Sequence, residues 1–222
     1  MIEKSTLKFL EDLGENNYRE WFHANKNRYE SARNNILNVA SKMFEKIQLF
    51  DDKIIFDDPK KCMFRIHRDT RFSHNKEPYK TNIGVVFSPD GTKKCSLSSY
   101  YLHIEPKSCF VSCGVYMPDA KVIKSIRDAI YEDFESFSAI LEDKIFKKNF
   151  GSLCRDEDVL TRVPVGYEKT SPAAEFLKLK HFYVFQSVSD ADVCSSDFAS
   201  KAAEICKLAK PLQYWLNRAI LN

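Results

Sequence analysis

The 222-residue chain contains little glycine, little proline and no long apolar run. Six glycines and eight prolines are too few for a collagen-like or low-complexity protein. The longest apolar stretches span only a few residues, far short of the roughly 20 needed to cross a bilayer. A net charge of +3, from 34 basic and 31 acidic residues, gives no bulk attraction to nucleic acid or membranes. The sequence therefore predicts an ordinary globular protein with no membrane partner.

Paired cysteines are also absent. The seven cysteines form no C-x-x-C motif, and the nearest two, Cys109 and Cys113, are four residues apart on a predicted strand. They would be about 13 Å apart along it, which suits neither a disulfide nor a zinc site, so we expect reduced thiols and no metal. The amino terminus is charged from Glu3 onward and lacks the apolar segment of a signal peptide, which predicts a cytoplasmic protein.

Hydrophobic periodicity divides the chain into helical ends and a strand-rich middle. A short helix is predicted over 5–14, ended by Gly14, and a long uninterrupted helix begins at 16–17 and runs for about thirty residues. Period-two patterns predict strands over 62–67, 80–88, 97–105, 109–116 and 181–186. Turn signals at 88–91 and 106–107 join the middle strands into an antiparallel meander.

Helices return after the meander. Apolar spacing predicts helices over 118–131, 134–146, 173–179 and 197–221, with a kink or a second short helix at Pro211. This order predicts an α+β fold: a central antiparallel sheet, the meander plus one or two further strands, covered by amino- and carboxyl-terminal helices. Short connections and the lack of a linker predict that residues 1–222 form a single domain.

The packing of the core is also predicted. We expect residues 80–116 to pack beneath the long amino-terminal helix. The large side chains that we expect to be buried are Trp21, Phe22, Leu102, Ile104 and Val111. An exposed Trp21 would instead indicate a platform for a ligand.

Positive charge is concentrated in one segment. Residues 60–94 contain nine lysines and arginines but three acids, a local excess of +6 in a nearly neutral chain. Its centre carries Arg65, Arg68, Arg71, Lys76 and Lys80. Because guanidinium groups bind phosphate or carboxylate through paired hydrogen bonds, these residues are candidates for an anion site with a phosphorylated small molecule as partner. We expect the three arginines to converge on one concave site with Lys76 or Lys80.

A structural role for the same segment stays open. Asp69 and Glu77 lie within it, and an internal salt-bridge clamp between these acids and the arginines would make the chain a non-enzymatic interaction or scaffold protein. A patch that faces another protein is a third alternative. Nucleic acid is a less expected ligand, since a duplex footprint usually needs a broader basic face than one loop.

The strand predicted over 97–105 offers a second candidate site. Alternation places Tyr101, His103 and Glu105 together on the face opposite the apolar core positions. If the basic segment covers that face, His103 and Glu105 become a general base and its orienting carboxylate, and Asp69 is a further catalytic candidate. A solvent-facing polar row is the alternative. The common nucleotide, hydrolase and zinc-protease motifs are absent, so the sequence assigns neither an activity nor a cofactor.

Four phrases follow one another along most of the chain: N-N-x-R-E-W-F-x-x-N-K-x-x-Y at 16–29, F-R-I-x-R-D-x-R-F-S-x-x-K-x-P-Y-K-T at 64–81, Y-Y-L-H-I-E-P at 100–106 and P-x-G-Y at 164–167. In content and order they resemble a family of uncharacterised bacterial and fungal proteins, a conserved domain of unknown function about this long. Two places depart from its pattern: residues 74–75 are His-Asn where Lys-Asp is usual, and residues 170–172 are Thr-Ser-Pro where Asp-His-Pro is usual. The resemblance implies a single-domain bacterial protein and no particular reaction.

Overall fold

The computed structural model of the protein describes residues 1–71, 74–155 and 159–222. Its helices are α1 (Lys4–Glu15), α2 (Arg19–Ala24), α3 (Lys26–Ile47), α4 (Pro59–Cys62), α5 (Ala120–Glu132), α6 (Phe134–Glu142), α7 (Lys144–Phe150), α8 (Ala174–Leu177), α9 (Asp190–Val193) and α10 (Phe198–Leu221). Its strands are β1 (Ile83–Phe87), β2 (Ser99–Ile104), β3 (Phe110–Val115) and β4 (Phe182–Ser187). The predicted α+β class is confirmed.

The four strands form one antiparallel sheet in the order β1-β2-β3-β4. The first three are the predicted meander, and each pairs with its neighbour in the chain. β4 follows helices α5 to α8, yet it joins the free side of β3 in a register that pairs Gly114 with Tyr183. The sheet therefore consists of the meander plus one further strand.

One face of the sheet is packed against helices. Burial alternates along β2, with Tyr100, Leu102 and Ile104 buried and the residues between them half-buried. Helix α10 packs on β3 and β2, α3 packs on β1, and the two helices pack against each other. The meander therefore lies beneath two helices from opposite ends of the chain: the predicted amino-terminal helix packs on β1, and α10 covers β3 and part of β2.

The predicted burial is right for four of the five large side chains, and wrong for Trp21. Phe22 is buried, as are the three sheet residues of that prediction. Trp21 is half-buried: its ring stacks on Phe9 with centroids 6.0 Å apart, and the Arg28 guanidinium lies 5.8 Å from its centroid. These neighbours are core and helix residues, so Trp21 lies at the margin of the core.

Two long predicted helices are each divided by a polar residue. Asn25 separates α2 from α3, and its side-chain amide donates to the Trp21 carbonyl at 2.9 Å. Asp143 separates α6 from α7, and its carboxylate accepts from the backbone N–H groups of Ile145 and Phe146. Such side chains compete with the helical backbone for hydrogen bonds and so favour helix ends, which apolar periodicity does not detect.

The strand predicted over 62–67 is wrong. Cys62 ends the one-turn helix α4, whose start is capped by the Asp58 carboxylate. The residues that follow run beside β1 with an isolated bridge between Met63 and Val85. The apolar alternation in this segment therefore marks a cover for the edge of the sheet rather than a strand.

Two helix-breaking residues do not end their helices. Gly14 lies inside α1, which continues to Glu15, and Pro211 lies inside α10, which forms no second helix. A proline in a helix interior loses one backbone hydrogen bond, but α10 has buried side chains on both sides of Pro211, including Ala209 and Leu212. Tertiary packing therefore keeps α10 helical through the proline.

Gly114 allows β3 and β4 to approach each other closely. Its φ is +141°, a conformation that residues with side chains rarely adopt. A Cβ atom at this position would lie 2.2 Å from the Phe182 carbonyl oxygen on β4. Both the backbone conformation and the space therefore require glycine here.

We expect Gly114→Ala to lower the free energy of unfolding by about 2 to 6 kcal/mol, because backbone strain and overpacking each contribute about 1 to 3. Urea denaturation measures the change. Gly166→Ala is the matched control, since Gly166 has a φ of +100° but nothing within 4 Å of the added Cβ. It should show the backbone strain alone, and equal losses in the two variants would contradict the close approach of β3 and β4.

Candidate functional site

A cleft of about 600 Å³ lies on the face of the sheet opposite α3 and α10. Alternating positions on three strands form its floor: Val86, Tyr101, His103, Phe110, Ser112 and Gly114. The rest of the lining comes from Phe64, Lys80, Asn82, Ser99 and Tyr183 and from residues 93–97 and 115–119. A concave site of this size, partly aromatic with a few polar groups, is typical of those that bind small molecules.

Tyr101, His103 and Glu105 form a hydrogen-bonded row on this face. The Tyr101 hydroxyl lies 3.0 Å from His103 Nδ1, and His103 Nε2 lies 3.2 Å from Glu105 Oε2. The Thr81 hydroxyl donates to Glu105 Oε1 at 2.7 Å. The His103 side chain is only 12% exposed. The structure thus brings together the two sequence-predicted catalytic candidates on β2 and adds a tyrosine and a threonine to them.

The row fixes the tautomer of His103. An ionised carboxylate only accepts, so Nε2–H donates to Glu105, and Nδ1 then accepts the Tyr101 hydroxyl proton. Burial lowers the pKa of His103, against the opposing effect of Glu105, so the imidazole is neutral near pH 7. Burial also raises the pKa of Tyr101 to about 12, which keeps its phenol protonated. Chemically, the row is a neutral base held in place by a carboxylate.

Gly84 and Phe110 hold this row in place. The register pairs Gly84 with His103, and a Cβ atom on Gly84 would lie 2.1 Å from the Tyr101 hydroxyl oxygen. The Phe110 ring stacks on His103 with centroids 4.4 Å apart and planes at 12°. Sequence reasoning missed both residues. The signal for Gly84 is a lone glycine within an apolar strand, which often marks a close approach.

Lys80 lies where the cleft meets a smaller depression of about 130 Å³. Lys80 and Asn82 line both spaces, while Arg68 and Glu77 line the depression. The Lys80 ammonium is 5.6 Å from the centroid of the Phe64 ring. Burial lowers the pKa of Lys80, and the nearby charge of Arg65 lowers it further. Within the described ranges, no carboxylate pairs with Lys80.

Three residues of the basic segment, Arg68, Arg71 and Lys76, bind other residues of the segment itself. Arg71 binds Asp69 through two contacts, Nη2 to Oδ2 at 2.7 Å and Nε to Oδ1 at 3.0 Å, which hold the pKa of Asp69 to about 2. The Lys76 ammonium donates to the Thr70 carbonyl at 3.0 Å, and Arg68 pairs with Glu77 at 3.4 Å. The neighbouring Phe72 and Ser73 lie outside the described residues.

The structure therefore separates the sequence-predicted site residues. It brings Arg68 and Lys80 to one depression, and it does not place Arg71 or Lys76 there. Arg65 is exposed and acts on Lys80 through its charge. Asp69 is ion-paired with Arg71 on the surface and does not join the row on β2.

Two cleft cations were not singled out by sequence reasoning. Lys93 and Lys94 line the cleft, although the sequence shows them only as part of the charge of residues 60–94. The Lys93 ammonium donates to the Met63 carbonyl at 3.3 Å. The signal is the turn at 88–91, because a turn at this point folds the following lysines back over the sheet.

The described part of the chain shows neither a metal-binding cluster nor a membrane-spanning helix. No group of three or more His, Cys, Asp or Glu side chains there is placed to hold a metal ion. No helix there is both long enough and apolar enough to cross a membrane. The seven cysteines are free thiols.

Comparison with known proteins gives one match. The model of a family described as a conserved hypothetical protein, DUF2461, matches residues 5–215. No curated protein and no solved structure is significantly similar to the chain. The match contains the basic segment, the row on β2 and all four strands.

We expect Glu105→Gln to lower the pKa of His103 further, because burial remains while the carboxylate that raises it is lost. Proton NMR of the histidine ring against pH measures this, and His103→Asn identifies the signal. Thr81→Val is the control: it removes a hydrogen bond to Glu105 but keeps the charge, and should change the His103 pKa much less. An unchanged or raised His103 pKa in Glu105→Gln would contradict the row.

For the surface ion pair of Arg71 and Asp69, we expect Arg71→Ala to raise the pKa of Asp69 from about 2 toward its usual value of about 3.9. A carboxyl group whose pKa is lowered by folding stabilises the folded protein at any pH above its pKa in the unfolded chain. That stabilisation is lost as the pH falls toward the pKa of the group in the folded protein. At pH 7 that stabilisation is present, but solvent screens a pair whose Arg71 side chain is 76% exposed, so Arg71→Ala should lower the melting temperature at pH 7 only slightly. Carboxyl-detected NMR and thermal melts test both. A large drop in melting temperature at pH 7 would instead favour a structural clamp.

Proposed function

We propose that this chain, which belongs to the conserved hypothetical family DUF2461, binds a phosphorylated small molecule in the cleft on the open face of its sheet. The observation that carries the proposal is Lys80, a half-buried cation beside Arg65 that has no carboxylate partner in the described ranges. A partly desolvated charge without a counterion is destabilising, and a bound anion would remove that penalty.

The groups around Lys80 suit a phosphate. Arg68 supplies a guanidinium and Asn82 an amide beside it, and both donate hydrogen bonds readily to phosphate oxygens. Glu77 lines the same depression but is directed at Arg68. The anion would therefore lie at the Lys80 end of the cleft, with the rest of the molecule along the sheet.

The row on β2 supports a role beyond binding. His103 and Tyr101 line the same cleft, and Glu105 keeps His103 in the tautomer that accepts a proton at Nδ1. If the protein acts on the bound molecule, this row is the acid–base group that it would use. Asp69 has no part in this proposal.

The alternative function is that of a scaffold protein in which the basic segment is a salt-bridge clamp. The pairs Arg71–Asp69 and Arg68–Glu77 favour it, because each joins two residues of that segment. Arg68 and Glu77 are 27% and 48% exposed, however, and pairs as exposed as this contribute only about 0.2 to 1 kcal/mol. The clamp also leaves Lys80 unexplained.

A cytoplasmic location is part of the proposal. It is supported by the seven free cysteines, since reduced thiols are typical of the cytosol.

Lys80→Met separates the two functions. We expect it to weaken binding of the best phosphorylated ligand by about 1.5 to 3 kcal/mol, roughly tenfold to a hundredfold, the scale of a hydrogen bond to a charged group. It should not lower the melting temperature of the unliganded protein, because it removes an unpaired cation. Calorimetric titration with a panel of sugar phosphates and nucleotides, together with thermal melts, measures both quantities.

Lys76→Met is the matched control. It removes the same charge from a lysine that is four residues away from Lys80 and does not line the cleft. Its affinity should equal that of the wild type. An equal loss in both variants would indicate general attraction to a basic surface and would reject a site at Lys80. A chain that binds no member of the panel would reject the proposed function itself.

A further inference from the structure

The cleft contains a second compartment, away from Lys80, whose floor is Gly114. Gly114 pairs with Ser99 on one side and Tyr183 on the other, so it lies at the opposite end of β2 from His103. His103 lies four positions after Ser99 on β2, which corresponds to about 13 Å along the strand. A molecule with its phosphate at Lys80 must therefore be extended to reach this compartment.

The compartment is bounded by an unusually placed tyrosine. The Tyr116 side chain is 64% exposed, yet two rings position it: His181 at 4.8 Å between centroids and Tyr183 at 5.5 Å, edge to face. An exposed aromatic ring normally retains rotational freedom. A ring that is both exposed and held by neighbours is preorganised for stacking, because a ligand does not have to order it.

The backbone beside Tyr116 is strained. Met117 has a φ of +51°, in the left-handed region that residues with side chains seldom occupy, and its N–H donates to His181 Nδ1 at 3.0 Å. Strain of this kind persists where the surrounding structure requires it, and it is frequent at ligand sites. Here it fixes the direction in which the chain leaves β3 and so the position of the Tyr116 ring.

The bare floor and the polar groups complete the compartment. Gly114 lines this end of the cleft beside Tyr116 and has no side chain, so its backbone is what a flat group would face there. Asp119 lines the same end of the cleft; its Oδ1 caps α5 by accepting from the Val122 N–H at 2.9 Å, which leaves Oδ2 as an acceptor for ring N–H or amino groups. A planar ring that contains nitrogen fits these surroundings better than a saturated sugar does.

We propose that the ligand is a phosphate ester with a planar heteroaromatic ring, of the nucleoside monophosphate class, whose ring stacks on Tyr116 above Gly114 while its phosphate lies at Lys80. This inference rests on the proposed function and specifies its ligand. It differs from binding of a sugar phosphate, which would occupy the Lys80 end alone.

The experiment compares ligands that share a phosphate and differ in the ring. Equilibrium dialysis is run with the four ribonucleoside monophosphates, ribose 5-phosphate and inorganic phosphate. At least one nucleoside monophosphate should bind about tenfold or more tightly than ribose 5-phosphate, the scale of one base–aromatic stacking contact. Tyr116→Leu should reduce that preference to less than about threefold and leave ribose 5-phosphate binding unchanged.

Tyr214→Leu is the control variant. It makes the same change at a residue that is 53% exposed on α10, the helix that covers the other face of the sheet, and should alter no affinity.

One outcome is that ribose 5-phosphate binds as tightly as every nucleotide and loses affinity in Lys80→Met. That result would overturn the inference that the ligand carries a heteroaromatic ring and leave the proposed function intact. Nucleotide preference that survives in Tyr116→Leu would overturn the assigned ring position. Absence of binding by all six compounds would overturn both proposals, and a single-stranded oligonucleotide that binds more than tenfold tighter than its mononucleotides would replace the small molecule with nucleic acid.

Discussion

The two-residue alternation of β2 is the constraint on which both the fold and the site depend. Tyr100, Leu102 and Ile104 project into the core, where the Tyr100 hydroxyl donates to the buried Asp51 carboxylate at 2.9 Å. The residues between them project into the cleft. Because the core side is fully packed, a register shift of one residue would bury the polar row and expose the apolar one. The position of His103 is thus determined by the packing of its neighbours.

The charges of the protein divide into two kinds. Arg71 forms an ion pair with Asp69, two residues away in the chain, so the charge of Arg71 is balanced by a local contact that does not depend on tertiary structure. Lys80 has no carboxylate pair within the described residues; its ammonium lies 5.6 Å from the centroid of the Phe64 ring, and its pKa is lowered by burial and by the charge of Arg65. A positive charge that no described carboxylate balances therefore lies at the junction with the cleft.

Much of the fold was predictable because apolar periodicity is a local property. Period-two patterns located β2 and β3, and the same pattern placed His103 and Glu105 on one face. The breaks at Asn25 and Asp143 were missed because they depend on side-chain hydrogen bonds, which leave the apolar spacing unchanged. At the site, the number of cations did not distinguish Lys80 from Arg71. That distinction depends on which of them lies beside the sheet, and this is a property of tertiary structure.

The sheet is assembled from chain segments that are far apart in sequence. β3 ends at Val115 and β4 begins at Phe182, so four helices of the described residues, α5 to α8, lie between two paired strands. Closing so long a loop carries an entropic cost, and the pairing of strands that are far apart in sequence slows folding. Because Tyr183 on β4 flanks Gly114, the Gly114 end of the cleft is complete only when β4 is paired with β3, whereas His103 pairs with residues of β1 and β3. A ligand that contacts both ends of the cleft would therefore stabilise the pairing of β4 with β3.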